Sequence, residues 1–376
     1  MKKLICIFLG AVFALSNTVA VAEVEVDAKS VILIEQSTGE VLYENNPDEK
    51  LPIASVTKIM TMLLIMEAVD SGQIKLDDMV NVSENAMSYG GSTMFLEAGE
   101  QLSVSDMLKG IAVASANDGC VAMAEHLDGS ETAFVDRMNK KAAELGMVNT
   151  NFMNTNGLDE DNHYSSARDV AIMSRELSKH KKIFDYTSIW MDSLRDGKFQ
   201  LANTNKLIRF YNGANGLKTG STSKALCCVS ASAEREGMQL IAVVLGAPTS
   251  AKRFSSAKAL LDYGFANYKK EALTTEGEII GDAEVKKGIE KSVGYYAKEG
   301  FSVLKQKSDT TQTECEVLLD EHIYAPVTKG DKIGVIKIKT ADSEHSIDLL
   351  AANDVKRKGI NLILSDFFDK LLGRIE

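Results

Sequence analysis

The stretch IASVTKIMTMLLIMEA, residues 53–68, reads as a helix that is apolar on almost every side, yet Ser55 and Lys58 stand at its mouth. Met60, Met62, Leu63, Leu64, Ile65 and Met66 follow with little polar interruption, which predicts a central helix surrounded by protein. Positions 55 and 58 are i and i+3, neighbours on one helix face, so the two side chains can touch. Desolvation lowers the pKa of a lysine held there, and only a neutral amine can take the proton of a serine hydroxyl. A serine at a helix N-terminus also has backbone N–H groups directed at a developing oxyanion. Alone, S-x-x-K is served equally well by ordinary capping.

Two further stretches change that balance. VASANDGC places Ser115-Ala116-Asn117 between an apolar helix starting near Ser105 and another running through CVAMAEHL. NGLKTGSTSKALCCVSASA places Lys218-Thr219-Gly220 ahead of a strand expected from about Ala225 to Ala233, which a hairpin over EREGMQ returns as LIAVVLG. S-x-x-K, S-x-N and K-T-G in that order form the motif set of β-lactamases and penicillin-binding proteins.

The two ends bound the setting. MKKLICIFLGAVFALSNTVAVA has two lysines, an apolar run and the small-x-small pattern Ala20-Val21-Ala22, so residues 1–22 are read as a secretory signal peptide. The formal net charge of −11 becomes still more negative once Lys2 and Lys3 are lost, which gives a nucleic-acid partner no electrostatic support. Cys120, Cys227, Cys228 and Cys315 show no zinc spacing and are read as small buried hydrophobes. The five histidines are scattered, without H-E-x-x-H, so neither metal nor cofactor is expected.

The remaining length calls for more than one domain. From about Ala272 the texture turns to short alternating segments, SVGYYA, FSVLK, TECEVLL, KIGVIKIK and HSIDLL, separated by polar turns, which predicts a small β domain over 271–354. Residues 355–376 differ again. Ile363, Leu364, Phe367, Phe368, Leu371, Leu372 and Ile375 share about half of a helix circumference. Lys356, Arg357 and Lys358 precede them, the pattern of an amphipathic helix lying on an anionic membrane surface.

With these motifs in place, the chain resembles the low-molecular-mass penicillin-binding proteins, the serine-type D-alanyl-D-alanine carboxypeptidases. SVILIEQSTGEVLYENNPDEKLPIASVTKIMT, GGSTMFLEAGEQLSVSDMLKGIAVASANDGC, FMNTNGLDEDNHYSSARDVA and APVTKGDKIGVIKIKTADSEHSIDLLAANDV extend the likeness over nearly all of the chain after residue 22. The resemblance implies an α/β (α+β) transpeptidase-like domain over 23–270, an antiparallel sheet flanked by helices, followed by the all-β domain and the C-terminal amphipathic helix. It implies that Ser55 attacks the penultimate D-alanine carbonyl of a peptidoglycan stem peptide, with Lys58 as proton acceptor. Ser115 would relay the proton to the leaving D-alanine, and Asn117 would fix Lys58 and orient the peptide. Lys218 would hold the terminal carboxylate and help to keep Lys58 neutral. The oxyanion would lie between the N–H groups of Ser55 and Ser221, and Gly220 would let the substrate backbone approach the strand. Thr219, Thr222 and Arg253 would assist carboxylate binding. β-Lactams would acylate Ser55, and the enzyme would act outside the cytoplasmic membrane.

Relatives of this fold allow other readings. A class A β-lactamase needs a deacylating glutamate, and Glu160 in NGLDEDNHYS lacks the expected following pattern, while the middle motif is S-A-N instead of S-D-N. An endopeptidase performs the same reaction on a bulkier substrate. A non-catalytic binder has no use for five costly buried polar groups. His163 reads as a turn residue.

Overall fold

The computed structural model describes residues 24–311, 313–340, 344–362 and 364. The expected signal peptide lies outside them, as does most of the expected C-terminal helix, of which 360–362 and 364 carry helical backbone.

A five-stranded antiparallel sheet organises the first part of the chain, in the order Val41–Asn45, Ser30–Glu35, Met238–Ala247, Leu226–Arg235 and Ala214–Thr222. Side chains alternate across a strand, and here both faces are covered. Ile32, Ile34, Ile241, Val243 and Leu245 face one core with the helix Lys58–Asp70. Val31, Leu33, Leu240, Ala242 and Val244 face a second core with the helix Ser250–Asn267. A strand wet on one face would alternate with polar residues; the central Ser30–Glu35 and Met238–Ala247 are buried along their whole length, because neither of their faces meets water. The opening stretch behaves as its composition dictates. From Ile59 to Met66 every side chain of the helix Lys58–Asp70 is fully buried, and full burial of one such apolar side chain is worth about 1.5–3 kcal/mol.

Two sequence expectations need correction here. The strand expected from about Ala225 is present as Leu226–Arg235, but Lys218-Thr219-Gly220 lies inside a strand of its own, Ala214–Thr222, at the edge of the sheet. The turn residues Ser223 and Lys224 mark the break between two strands instead of the approach to one. Ser55 lies in a 3₁₀ turn, Ala54–Thr57, with the α-helix starting at Lys58. Side chains i and i+3 eclipse in a 3₁₀ turn, which brings Ser55 and Lys58 together more directly than an α-helix would.

The second sheet has six strands and its own core, which includes Val285, Val293, Ile336, Ile338 and Leu349. All five alternating segments read from the sequence are strands; four of them lie in this sheet, completed by Ile279–Lys286 and the short Ile323–Tyr324, neither foreseen, and the fifth, Phe301–Gln306, pairs elsewhere. The expected boundary at 270/271 falls inside the strand Tyr268–Thr274. That strand follows directly on the helix Ser250–Asn267 and pairs with Phe301–Gln306 as a two-stranded connection. Among the cysteines, Cys120 and Cys228 are buried as expected, Cys227 is half-buried, and Cys315 is exposed on the edge strand Glu314–Leu319. All four are free thiols.

Candidate active site

Four segments meet at the N-terminus of the buried helix. The 3₁₀ turn Ala54–Thr57 supplies Ser55, half-buried, at a point where Ala54 has left-handed backbone (φ 49°). The N–H of Ser55, in the first turn, has no intrahelical partner. The Ala214–Thr222 strand packs on this turn so closely that a Cβ on Gly220 would lie 2.7 Å from the Ile53 carbonyl oxygen and 2.8 Å from the Ser55 nitrogen. Gly220 was expected to make room for substrate; the room it leaves is taken by the backbone at Ile53 and Ser55. That approach carries the following residue, Ser221, exposed, to the rim of the site.

Lys58 is fully buried and donates from Nζ to the Asn117 Oδ1 at 2.6 Å, the Asn156 carbonyl at 2.6 Å and the Ser55 Oγ at 3.0 Å. Burial lowers its pKa from 10.5 to about 8, against the charges of Cys120 and Asp118, which raise it. A neutral amine has two N–H bonds and one lone pair. Asn117 and Asn156 can only accept, so they take the two N–H bonds, and the lone pair is left facing Ser55 Oγ. Lys218 is 1% exposed, and its pKa is pushed well down by burial first and by Lys58 second. The expectation that Lys218 helps keep Lys58 neutral finds no counterpart among the causes at Lys58, where burial leads; the depression runs from Lys58 to Lys218.

The second motif sits where the π-helical turn Gly110–Ala114 ends. Ser115, 4% exposed, adopts left-handed backbone there (φ 65°), and the helix Asn117–Asp128 starts two residues on. Asn117 is held on both sides: its Oδ1 accepts from Lys58, and its Nδ2 donates to the Gly90 carbonyl at 2.7 Å. Asp118, not singled out from the sequence, accepts from the N–H groups of Met94 and Leu96 at 3.1 Å. Together they fasten the 90–96 loop beside the serine.

Several expected carboxylate ligands have protein partners. Thr219 Oγ1 donates to Thr204 Oγ1 at 2.7 Å, and Thr222 Oγ1 donates to Asp159 at 2.6 Å while accepting from the Ala225 N–H. Arg253 is 6% exposed, and donates to the carbonyls of Gly220 and Cys228 and to Ser250 Oγ. It is no solvated surface arginine: it secures the K-T-G strand from the helix behind it.

The fourth segment, residues 151–165, was legible only as a resemblance. Gly157 has φ 85°, and a Cβ there would lie 1.9 Å from the Ala54 carbonyl oxygen. His163, read as a turn residue, is 6% exposed and fastens this loop to the catalytic turn. Its Nδ1 accepts from the Met153 N–H at 3.1 Å, so Nε2 carries the proton and donates to Thr57 Oγ1 at 2.8 Å. Burial lowers its pKa from 6.5 to about 4. No local pattern signals this, because Thr57 lies more than a hundred residues away. Glu160 is engaged by Asn154 Nδ2 at 3.1 Å. Among the described residues no group of acidic, histidine or cysteine side chains is arranged to hold a metal ion.

A buried lysine facing a serine at a helix start, with S-x-N and K-T-G closing around it, defines a serine acyl-transfer site of the penicillin-binding kind. Residues 17–249 match the D-alanyl-D-alanine carboxypeptidase family, and residues 268–357 match the C-terminal domain of penicillin-binding protein 5. D-alanyl-D-alanine carboxypeptidase DacF of Bacillus subtilis is 46% identical over 358 residues, covering 94% of this chain and 92% of that protein. Penicillin-binding protein 5 from Haemophilus influenzae superimposes with a TM-score of 0.69 at 33% identity, over 89% of this chain and 98% of that one. The ampicillin-bound penicillin-binding protein D2 from Listeria monocytogenes gives a TM-score of 0.56 at 34% identity, over 64% of this chain and 98% of that one. The chain belongs to the D-alanyl-D-alanine carboxypeptidase family of low-molecular-mass penicillin-binding proteins.

Three measurements test this geometry. The rate of Ser55 acylation by a β-lactam should rise with pH and level off above about 8, as Lys58 loses its proton; a flat profile across that range would exclude Lys58 as the base. Gly157→Ala should lower the unfolding midpoint and cut acylation, since both the positive φ and the contact with Ala54 oppose a methyl group. Because the unfolded chain protonates His163 before the folded one does, stability should fall as pH drops from 6.5 toward 4. The depression corresponds to roughly 3 kcal/mol, and denaturant titrations of His163→Gln should show a shallower acid limb than wild type.

Proposed function

We propose that this protein is a serine-type D-alanyl-D-alanine carboxypeptidase that removes the terminal D-alanine from peptidoglycan stem peptides. The observation that carries this reading is the buried Lys58, whose Nζ meets the Asn117 Oδ1, the Asn156 carbonyl and Ser55 Oγ, so that once the amine is neutral its two hydrogens are taken by the two carbonyl acceptors and its lone pair faces the serine. Ser55 attacks the penultimate D-alanine carbonyl and passes its proton to Lys58. The tetrahedral oxyanion is held by the N–H groups of Ser55 and Ser221, preorganised donors of a kind worth a few kcal/mol. Ser115 returns the proton to the leaving D-alanine nitrogen, and water then hydrolyses the acyl-enzyme. Lys218 supplies the charge facing the substrate carboxylate, with Thr219 beside it, while Arg253 and Gly220 fix the strand. Thr222 acts at the mouth, where its hydroxyl would exchange Asp159 for substrate. An endopeptidase or a β-lactamase would use the same acylation half-reaction.

A β-lactam, entering as a mimic of the D-alanyl-D-alanine end, leaves Ser55 acylated; the ampicillin-bound Listeria relative supports this reading. Export and peripheral attachment to the outer face of the cytoplasmic membrane are proposed from the sequence of residues 1–22 and 355–376. Among the described residues no helix is long and apolar enough to cross a membrane. A division into a catalytic part, 23–270, and a β domain, 271–354, is proposed on the texture of the sequence, with the strand Tyr268–Thr274 crossing the join.

The deciding assay is D-alanine release from a soluble pentapeptide ending in D-alanyl-D-alanine. Wild type should release it, and Ser55→Ala should lower kcat/KM by a factor on the order of 10⁴ or more, with loss of β-lactam labelling. Labelling that persists in Ser55→Ala would show that another residue is the nucleophile.

A further inference from the structure

We propose that the end of the C-terminal β domain farthest from the catalytic part is itself a lipid-facing surface, in which residues 286–291 dock beside residues 355–358 and take the headgroups of an anionic bilayer. The inference rests on the peripheral attachment proposed above and adds a second element to it.

The surface is assembled from segments far apart in the chain. Gly288 bridges to Arg357, the Ile289 N–H donates to the Lys356 carbonyl at 2.8 Å, and the Lys358 N–H donates to the Lys287 carbonyl at 2.9 Å. Gly288 permits this approach, since a Cβ there would lie 2.7 Å from Val355 Cγ1. Lys287, with positive φ, turns its ammonium over the Tyr324 ring, and Lys286 Nζ meets His322 Nδ1 at 2.8 Å. Lys287, Lys291, Lys356 and Arg357 are exposed, with no ion pair to any described residue. Glu290, Asp320, Glu321 and Asp354 are the acidic side chains in and beside these turns, against Lys286, Lys287, Lys291, Lys356, Arg357 and Lys358; Glu321 lies beside His322 at 3.9 Å, and Asp354 accepts from the Lys329 N–H. Around the cations stand exposed apolar groups: Ile289 at 46%, Tyr324 at 49% and Ile360 at 73% exposure.

In a chain of net charge −11 this cluster is a local reversal of sign. Cations interleaved with exposed aliphatic and tyrosyl groups match the interface of an anionic membrane, where each basic side chain contributes about 1 kcal/mol and apolar side chains enter the headgroup boundary. The orientation fits. Strand Glu344–Ala351 runs from the Lys339 and His345 end, which borders a cleft shared with Thr38 and Glu40 of the first part, to this opposite end. Eight residues of strand span roughly 26 Å, so a bilayer under residues 286–291 would leave the catalytic site raised above it.

The test is sedimentation of the full chain with vesicles of phosphatidylcholine containing about one third phosphatidylglycerol, against pure phosphatidylcholine. Lys287→Glu/Ile289→Asp should bind the anionic vesicles at least about tenfold more weakly than wild type, with unchanged D-alanine release from soluble peptide. The milder Lys287→Gln/Ile289→Ser should show a smaller loss in the same direction if the first variant folds poorly. Wild-type binding by both variants, with loss of binding on truncation after Gly359, would overturn this inference and leave the tail as sole anchor. Wild type that binds neither vesicle would overturn both readings. An equal loss on neutral vesicles would overturn the electrostatic assignment. Lost binding to soluble poly(glycerol phosphate), with vesicle binding intact, would assign the surface to a wall polymer instead.

Discussion

The structure turns on one lysine amine held without water at the start of a helix. Desolvating Lys58 is unfavourable, and the protein offsets it with acceptors from two other segments, the Asn117 amide and the Asn156 carbonyl. Each acceptor must itself be held. Asn117 is fixed through Gly90 and Asp118 through the backbone of Met94 and Leu96, while the Asn156 segment is fixed through His163 and Gly157. The packing of three loops thus follows from the need to keep one amine dry and aimed at one hydroxyl.

The sheet serves the same end from the other side. Gly220 allows the K-T-G strand to lie against the backbone of the nucleophile, and Arg253 reaches from the helix on the far face to the carbonyls of Gly220 and Cys228. Lys218 arrives already stripped of water, beside a second lysine in the same condition. Two buried ammonium groups whose charged forms are disfavoured are poor for stability and good for acid–base work, because each stands ready to give up a proton or to take a carboxylate partner.

Much of this was legible in the residues. The unbroken apolar run after Lys58 announces a buried helix, because a surface helix would alternate every three or four residues. The five alternating segments beyond Ala272 announce the strands of a β domain. The motif order S-x-x-K, S-x-N, K-T-G names the chemistry and most of the residues that carry it. Less was legible in the local geometry: the 3₁₀ turn at Ser55, the strand at Lys218 and the strand running through the expected boundary at 270/271. Turn chemistry and sheet pairing depend on neighbours that a sequence window does not contain.

Arg253 marks that limit most clearly, since a guanidinium near a motif looks like a ligand until its partners are seen. The sequence by itself determined the family and the class of reaction and pointed to Ser55, Lys58 and a following β domain, since each is written in residue type and short-range spacing. Only the tertiary structure decided why Lys58 can be a base, what His163, Asp118 and Asn156 do, and how residues 286–291 come to lie beside 355–358. Those are matters of burial and of contacts between distant segments, and free energy of that kind has no address in any single stretch of chain.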